Sequence, residues 1–394
     1  MATMKALTVD STGTNVIIHD LPLPEVRSTY MLVKTAAVTV NPADNIVLEY
    51  GLVKSGHNFG CDWAGTVVSV GPDVERSFKP GDRVCGMSKP TDGERSDVGV
   101  FAEYIVVKAD LALHIPDHMS FTDAAPLGIV TVTAGRWLFD KFRIPYPTVS
   151  ADGTLSPPTT RPRQILIYGG STAMGTMTIQ YAKLAGFFVI STASPHNKSL
   201  VSSYGADAVL DHYSPTAPSE ILAIAAHNSS QYGPLTLCLD CIGLPSTTHF
   251  CSQILTPASP PPDPSAPPDF FPSEQDIDLD THVGKIYGTL TPLTPPFPFP
   301  DNDDPKVRTV RTLGYSFLNE PYDWLDGRVV PASRAAFEEA RDFAVLAERL
   351  LKLKIVRPHP VEVRAGGLEG VMREGLLELR AGRVSGRKLV FSPL

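Results

Sequence analysis

Charge is scarce in this chain of 394 residues: Asp, Glu, Lys and Arg make up 19% of it. The 42 acidic residues outnumber the 34 basic ones, for a formal net charge of -8. Phosphate-backbone binding needs a basic stripe, so no nucleic-acid partner is expected. Long apolar runs are missing as well. None reaches the roughly 20 residues that cross a bilayer, and polar residues interrupt Met1–Asp20, so neither a membrane span nor a signal peptide is expected. Cysteines number only five. The count is odd and the spacings fit no disulfide framework. Reduced thiols and a cytoplasmic location are the expectation.

Proline, in contrast, is plentiful, with 37 residues. Much of it falls in two blocks, "TPASPPPDPSAPPDFFPSE" and "TPLTPPFPFPDNDDP". Neither can be a central strand or a long helix, so both read as long solvated loops. Pro145–Arg163, rich in Pro, Ser and Thr, reads as a surface linker or insertion. The second block follows what looks like the last strand of a sheet. Proline there would blunt the edge against a second subunit, which favours a monomer.

The length favours two domains. The first 130 or so residues read as strands and turns: "KALTV" with "NVIIHDLPLP" as a hairpin, then "YMLVKTAAVTVNP", "WAGTVVSVG", "GDRVCGM" and "FAEYIVVK". From Ser120 the pattern turns helical. After the linker, β/α alternation begins, with strands in "QILIYGG", "FFVISTA", "ADAVLDH", "LTLCLDCIG" and "HVGKIYGTL". Such alternation predicts a parallel sheet covered by helices on both faces. In the tail a helix is predicted from Ser333 to about Lys352, with Ser333 as N-cap. A strand in "IVRPHPVEV" and a helix, turn and last strand in "LEGVMREGLLELRAGRVSGRKLVFS" follow, and this tail should return to the first β unit. The boundaries read as 1–135 plus 311–394 for the β-rich domain and 136–310 for the parallel-sheet domain.

The stretch "YGGSTAMG" joins a strand to a helix. A glycine turn at a helix N-terminus presents free amides and the helix dipole to an anion. Gly169, Gly170 and Gly175 suit the tight turn and the close helix–strand contact. Thr172 stands where the usual middle glycine would be. Ser171, Thr172, Ala173 and Met174 begin the helix. The first three are small enough for a pyrophosphate to approach, and two hydroxyls can donate to it. A tight βα turn without any ligand is the plain alternative.

The second strand closes on Ser194, Pro195, His196, Asn197 and Lys198 rather than on the Asp or Glu that holds an NAD ribose. Nothing there repels a 2′-phosphate, so NADPH is preferred to NADH. The plain alternative is that these residues cap the next helix. Cys238 and Cys241 have a redox-like spacing, but they lie on a predicted buried strand, which favours core packing.

A β-rich unit, a doubly wound domain and a return to the first unit together resemble the medium-chain dehydrogenase/reductase superfamily. Carrying the resemblance are "VTVNPADN", "FGCDWAGTVVSVGPDV", "FKPGDRVCG", "GVFAEYIVVK", "IPDHMSFTDAAPLGIVTVTAG" and "LRAGRVSGRKLVF". The implied fold class is α/β: a GroES-like β-rich catalytic domain plus a Rossmann doubly wound parallel-sheet domain. The chain looks like the zinc-free branch. Zinc-dependent alcohol dehydrogenases carry Cys where this chain has Asn41 and Pro42, and Gly-His-Glu where it has Gly60, Cys61 and Asp62. No metal is expected.

Within the branch, "YGGSTA", "SPHN" and "LDCI...STT" resemble the trans-acting enoyl reductases that partner fungal polyketide synthases, of the lovastatin-pathway type. That resemblance implies NADPH-dependent reduction of an α,β-unsaturated thioester held on the acyl carrier protein of a polyketide synthase. Carried over by motif, Ala43, Asp44, Asn45 and Ile46 would line the nicotinamide side. Ser171 to Met174 would take the pyrophosphate, and Ser194 to Asn197 the 2′-phosphate. His212 would lie near the adenosine, and Ile254, Leu255, Ile355 and Val356 would touch the cofactor less specifically. Thr133, Ala134, Gly135, Arg136, Trp137, Leu138, Phe139 and Asp140 would border a substrate channel, as would Leu313, Gly314, Tyr315, Ser316 and Phe317. Many relatives have Lys where this chain has Ile46.

Such a reduction needs a hydride at Cβ, a proton at Cα and a donor for the enolate oxygen between them. Thr133 is the candidate for the oxygen contact, on the reading that it opens a helix; capping or packing is the alternative. Tyr50, Lys54 and His57 are candidates to replace the missing lysine, against simple surface exposure. Two other readings stay open: a stand-alone quinone or enone reductase, and a low-turnover NADPH-binding protein.

Overall fold

The computed structural model describes residues 3–150, 153–156, 158, 163–255, 285–290, 307–312, 315–323 and 329–394. Both proline-rich blocks lie outside the described residues. Two compact units divide the chain. One holds the described residues up to Thr133 and from 315 onward; the other holds those from Ala134 to Thr312.

The first unit opens with the antiparallel hairpin β1 (Thr3–Val9) and β2 (Asn15–Pro22). Strand β3 (Tyr30–Thr39) follows and stops where Pro42 starts helix α1 (Pro42–Glu49). Proline suits the first helical position because its φ is already helical and its missing N–H is not needed there. Then come β4 (Asp62–Val70), β5 (Arg83–Met87), β6 (Tyr104–Lys108) and the short β7 (Leu113–His114). β3 pairs with β4 and β6, β4 with β5, and β5 with β7, all antiparallel. Ser120 caps α2 (Phe121–Ala124), its hydroxyl accepting the Asp123 N–H at 3.0 Å. Pro126 separates α2 from α3 (Leu127–Gly135). An ideal Cβ on Gly128 would come 2.1 Å from the Gly86 oxygen and 2.7 Å from Asp62 Oδ1. Only glycine lets α3 sit down on the ends of β4 and β5.

The second unit continues that helix as a wide π-type turn, Arg136–Lys141, with the Phe142 N–H bonded to the Trp137 oxygen at 2.9 Å. The stretch read as a bare linker contains a small antiparallel pair, β8 (Thr148–Val149) and β9 (Leu155–Ser156). Two-residue strands are too short to leave an alternating pattern by which a sequence would reveal them.

The β/α alternation then becomes β10 (Gln164–Tyr168), α4 (Ala173–Leu184), β11 (Phe188–Ala193), α5 (Lys198–Ser203), β12 (Ala208–Asp211), α6 (Ala217–Tyr232), β13 (Leu235–Asp240), α7 (Pro245–Leu255), β14 (Lys285–Leu290) and β15 (Val307–Thr312). The six strands pair in parallel in the order β12-β11-β10-β13-β14-β15. The chain steps outward one way from β10 and then restarts beside it at β13. That reversal is the switch point at which doubly wound sheets bind ligands. β14 was expected to end the sheet, but β15 lies beyond it. "VRTVRT" has only two apolar residues, three positions apart, and so lacks both the apolar run that marks the central strands and the alternation of a half-buried one.

Back in the first unit, β16 (Tyr322–Asp323) and β17 (Val329–Val330) pair antiparallel. Helix α8 (Arg334–Lys352) is capped by Ser333, whose hydroxyl accepts the Ala336 N–H at 3.2 Å. It buries Phe337, Phe343, Ala344, Ala347, Leu350 and Leu351, a stripe of helical period. "IVRPHPVEV" is a strand only over β18 (Val361–Arg364), since Pro358 and Pro360 cannot join a ladder. After α9 (Gly367–Gly370) and α10 (Leu376–Arg380), β19 (Lys388–Phe391) runs parallel to β18 and antiparallel to β3.

Gly128→Ala should therefore lower unfolding free energy by about 1–3 kcal/mol through overpacking. Gly93→Ala, with nothing within 4 Å, should change it by less than about 0.5 kcal/mol. Denaturant midpoints of the two variants test this, and equal midpoints would contradict it.

Candidate active site

The glycine turn of the second unit sits between β10 and α4. Gly169 has φ +78°, where a side chain would be strained. A Cβ on Gly170 would meet Ser191 Oγ at 2.1 Å, and one on Gly175 the Gly169 oxygen at 2.4 Å. These glycines hold helix and strand in close contact. Thr172 is the N-cap: its hydroxyl accepts the Gly175 N–H at 2.9 Å and donates to the Gly169 oxygen at 2.8 Å. Its only proton is thus spent inside the turn, which corrects the expectation of two free hydroxyls. Ser171 keeps its own. Among the described residues the first-turn amides of Ala173 and Met174 have no partner. Small residues, free amides and a helix of 12 residues fit a pyrophosphate.

At the end of β11, Ser194 precedes a single 3-10 turn, Pro195–Asn197. Asn197 is buried, while Pro195, His196 and Lys198 are exposed. No carboxylate follows the strand, and Lys198 makes no ion pair among the described residues. This donor set fits a 2′-phosphate. His212, just past β12, lies edge-on to Tyr168 at 6.0 Å and against Tyr213 at 4.0 Å. Tyr213 is 76% exposed, an open ring that sequence reasoning passed over. Ile254 and Leu255 are packed in the core of the sheet with Leu166, Ile190 and Cys238, so their side chains are committed there. Cys238 and Cys241 are buried free thiols, and burial pushes the Cys241 thiol well up.

The first unit holds a closed polar network. Lys388 Nζ donates to Asp62 Oδ2 at 2.7 Å and to Asn41 Oδ1 at 2.8 Å. Asn41 Nδ2 donates to Asp62 Oδ2 at 3.1 Å, and the Ile129 N–H donates to Asp62 Oδ1 at 2.7 Å. Asp62 is fully buried and the Lys388 side chain is only 9% exposed. Beside it, Asp44 Oδ2 accepts the Asn41 N–H at 2.7 Å, while its Oδ1 is buried with no hydrogen-bond partner among the described residues. Burial pushes the Asp44 carboxyl up to about 7, against the Cys61 thiol and the Asn41 amide, which pull it down. Cys61 is buried too, and its thiol is pushed well up by burial and by the two aspartates. Asn45 Nδ2 donates to the Leu376 oxygen at 3.0 Å, anchoring α1 to α10. Ala43 and Ile46 are half-buried on α1.

Three comparisons bear on this arrangement. Residues 27–117 match the alcohol dehydrogenase GroES-like domain. The trans-enoyl reductase resD of Aspergillus sclerotiorum is 36% identical, over 98% of this chain and 99% of its own length. The chain belongs to the trans-enoyl reductase family. It is an oxidoreductase of the medium-chain dehydrogenase/reductase superfamily. Among solved structures it resembles an alcohol dehydrogenase superfamily protein from Novosphingobium aromaticivorans, with TM-score 0.72, 18% identity and all of both chains covered. A mycobacterial protein in complex with NADPH superposes with TM-score 0.67, 20% identity, and 99% of this chain and 100% of that one covered.

In this reductase several expected residues take other places. Thr133 lies inside α3 rather than opening a helix, because the helix already begins at Leu127, after Pro126. It is half-buried and is the last residue of the first unit. Ala134, Gly135, Arg136, Trp137, Leu138 and Phe139 are buried, and Trp137 packs on Gly288 and Phe142. Arg136 and Asp140 approach to 3.6 Å one turn apart. Phe317 is core, packed with Met87, Leu111, Val132 and Phe337. Tyr315 packs on the same cluster, half-buried and edge-on to Tyr322 at 6.0 Å. Burial pushes its phenol well up, with Cys61 and Asp44 adding to the effect. Leu313 and Gly314 lie outside the described residues, and of Ser316 only the backbone is described. Ile355 is half-buried and Val356 buried behind α8. Tyr50 and Lys54 are exposed, and His57 Nδ1 lies 3.1 Å from the Asp92 oxygen. Among the described residues no three of His, Cys, Asp or Glu converge as metal ligands.

Asp44 makes stability depend on pH. Its folded value is raised above the unfolded one, near 4. Between about pH 4 and pH 7 the folded chain therefore holds one proton more, and stability falls as pH rises. The span corresponds to about 4 kcal/mol. Asp44→Asn should flatten this component while keeping an acceptor for the Asn41 N–H. Urea midpoints of both proteins at pH 4.5, 5.5 and 7 check it, and parallel slopes would contradict it.

Proposed function

We propose that the reductase uses NADPH to reduce the C=C bond of an α,β-unsaturated thioester, presented on the acyl carrier protein of a partner polyketide synthase. When bound, NADPH supplies the hydride that reaches Cβ. The second unit is the nucleotide-binding domain in this reading and the first the catalytic one. Ser171 and the amides of Ala173 and Met174 hold the pyrophosphate; Ser194, Asn197 and Lys198 hold the 2′-phosphate. The observation that carries the choice of NADPH is an exposed Lys198, without an ion pair among the described residues, beyond a strand that ends without a carboxylate. The NADPH-bound mycobacterial neighbour agrees with it.

Hydride addition leaves charge on the thioester oxygen, and a neutral donor is what that oxygen needs. Tyr315 keeps its proton at any working pH, and Thr133 is a second hydroxyl at the end of the first unit. Asp44, neutral up to about pH 7, adds no negative charge that would oppose the enolate. Solvent water delivers the proton to Cα. The name of the relative resD supports a reductase that acts in trans. All five cysteines are free, and among the described residues no helix is long and apolar enough to cross a membrane. Both agree with a cytoplasmic enzyme, and we take it to act as a monomer.

NADPH oxidation with crotonyl-pantetheine, beside a small quinone, tests the reaction. Turnover of the thioester is expected; turnover of the quinone alone would overturn the proposal. Lys198→Glu should raise KM for NADPH about ten- to hundredfold, the worth of one lost charge-assisted hydrogen bond, and leave KM for NADH unchanged. Equal use of NADH and NADPH by the wild type would overturn the cofactor assignment.

A further inference from the structure

The second unit buries a carboxylate that has no cationic partner among the described residues. Asp240 ends β13 and is fully buried. Its Oδ1 accepts the N–H groups of Ile242 and Gly243 at 2.8 and 3.0 Å. Its Oδ2 accepts the Tyr287 hydroxyl at 2.8 Å and the Thr247 hydroxyl. The Thr247 oxygen is also 2.9 Å from the Leu244 oxygen, but an ionised acceptor is the stronger one for its single proton. Four neutral donors thus fill the two carboxylate oxygens. Burial, with the Asp240 charge adding to it, pushes the Tyr287 phenol well up, so that donor keeps its proton. Taking a charge out of water without a counter-ion is costly. What this charge holds in place is the turn of residues 241–244.

That turn stands at the same end of the sheet as the glycine turn and has no amide to offer a ligand. The Cys241 N–H is bonded to the Tyr168 oxygen at 3.1 Å, those of Ile242 and Gly243 to Asp240, and that of Leu244 to Thr247 Oγ1 at 3.0 Å. It is therefore no anion nest. What it presents is apolar: Ile242 is 39% exposed and Leu244 51%. Ile242 lies against the glycine turn, for a Cβ on Gly169 would meet its Cγ1 at 3.0 Å. Gly243, with φ +76°, sits down on the end of β14, where a Cβ would come 2.3 Å from the Leu290 oxygen. Strand order says what such a surface would meet. The 2′-phosphate is assigned past β11 and the pyrophosphate to the turn after β10. β11 and β13 flank β10 on opposite sides, so the half of NADPH beyond the pyrophosphate is left to the β13 side.

We propose that Asp240 is a positioning residue for the coenzyme: it fixes the 241–244 turn so that Ile242 forms the apolar surface on which the nicotinamide half of NADPH rests. The inference rests on the NADPH reading argued above. It adds to that reading the groups that place the half carrying the hydride.

Calorimetry with NADPH and with adenosine 2′,5′-bisphosphate, which lacks the nicotinamide half, tests this without turnover. Ile242→Ala should weaken NADPH binding about five- to tenfold, the worth of part of a buried aliphatic side chain, and leave the bisphosphate unchanged. Asp240→Ala should weaken NADPH at least as much, again with the bisphosphate unchanged. The double variant should be no weaker than Asp240→Ala alone, because the two residues act through one contact. Asp240→Asn, whose amide oxygen can still accept the Ile242 and Gly243 N–H groups, should restore most of the loss. If Asp240→Ala fails to fold, Thr247→Val, which removes one donor and keeps the side chain's shape, takes its place in the same cycle. Unchanged NADPH binding in Ile242→Ala, equal weakening of both nucleotides, or additive losses in the double variant would overturn the inference. A wild type that prefers NADH would overturn the cofactor assignment alone. The same comparison with NADH and AMP would then still decide the role of Asp240.

Discussion

A carboxylate with no exposure to water needs a cation and a full set of donors, and Asp62 has both in the Lys388 ammonium, the Asn41 amide and the Ile129 N–H. The three partners come from the last strand, the cap of α1 and the first turn of α3. One buried charge thus fixes the relative positions of four elements that are far apart in the chain. The desolvation of two ions is costly on its own, so the arrangement specifies geometry more than it adds stability. Everything argued for the first unit depends on that geometry: the placement of Asn41 and with it Asp44, the seat of α3 on Gly128, and the closure of the sheet by β19 against β3.

The second unit solves a different problem. Its sheet has an apolar core, and the turn after β10 is shaped by what is absent: no Cβ at three glycines, no carboxylate after β11 and, among the described residues, no partner for two first-turn amides. In the first unit burial alters the charge of side chains. It raises the Asp44 carboxyl to about 7, so that Asp44 is mostly protonated only below that pH, and it keeps Tyr315 a phenol.

Features with a local cause were legible in the sequence. The β-hairpin at the start, the turn at Gly169 and Gly170, and the Ser333 cap follow from residues within a few positions of each other. Lys388 was not legible, although a lone lysine opening an otherwise apolar strand, "KLVF", was a signal of a buried partner. That partner is 326 residues away, and no periodicity reports a contact of that kind. β15 escaped because "VRTVRT" has neither the apolar run that marks its neighbours nor a period-two alternation. That Thr172 caps its helix was not legible, because a hydroxyl at a helix start can either cap or bind and has only one proton. Thr133 was misplaced because the proline that sets the helix start lies well before it.

Lys388 neutralises Asp62. Unfolding free energies of Lys388→Met, Asp62→Asn and the double variant at pH 7 give the decisive check of that pairing. Lys388→Met alone should cost about 3–5 kcal/mol, the usual penalty for leaving a buried charge unpaired. Adding Asp62→Asn should recover most of that loss, because the neutral amide no longer needs the ammonium. If Lys388→Met is as stable as the wild type, or if the second change recovers nothing, the pairing is incidental and the claim is wrong.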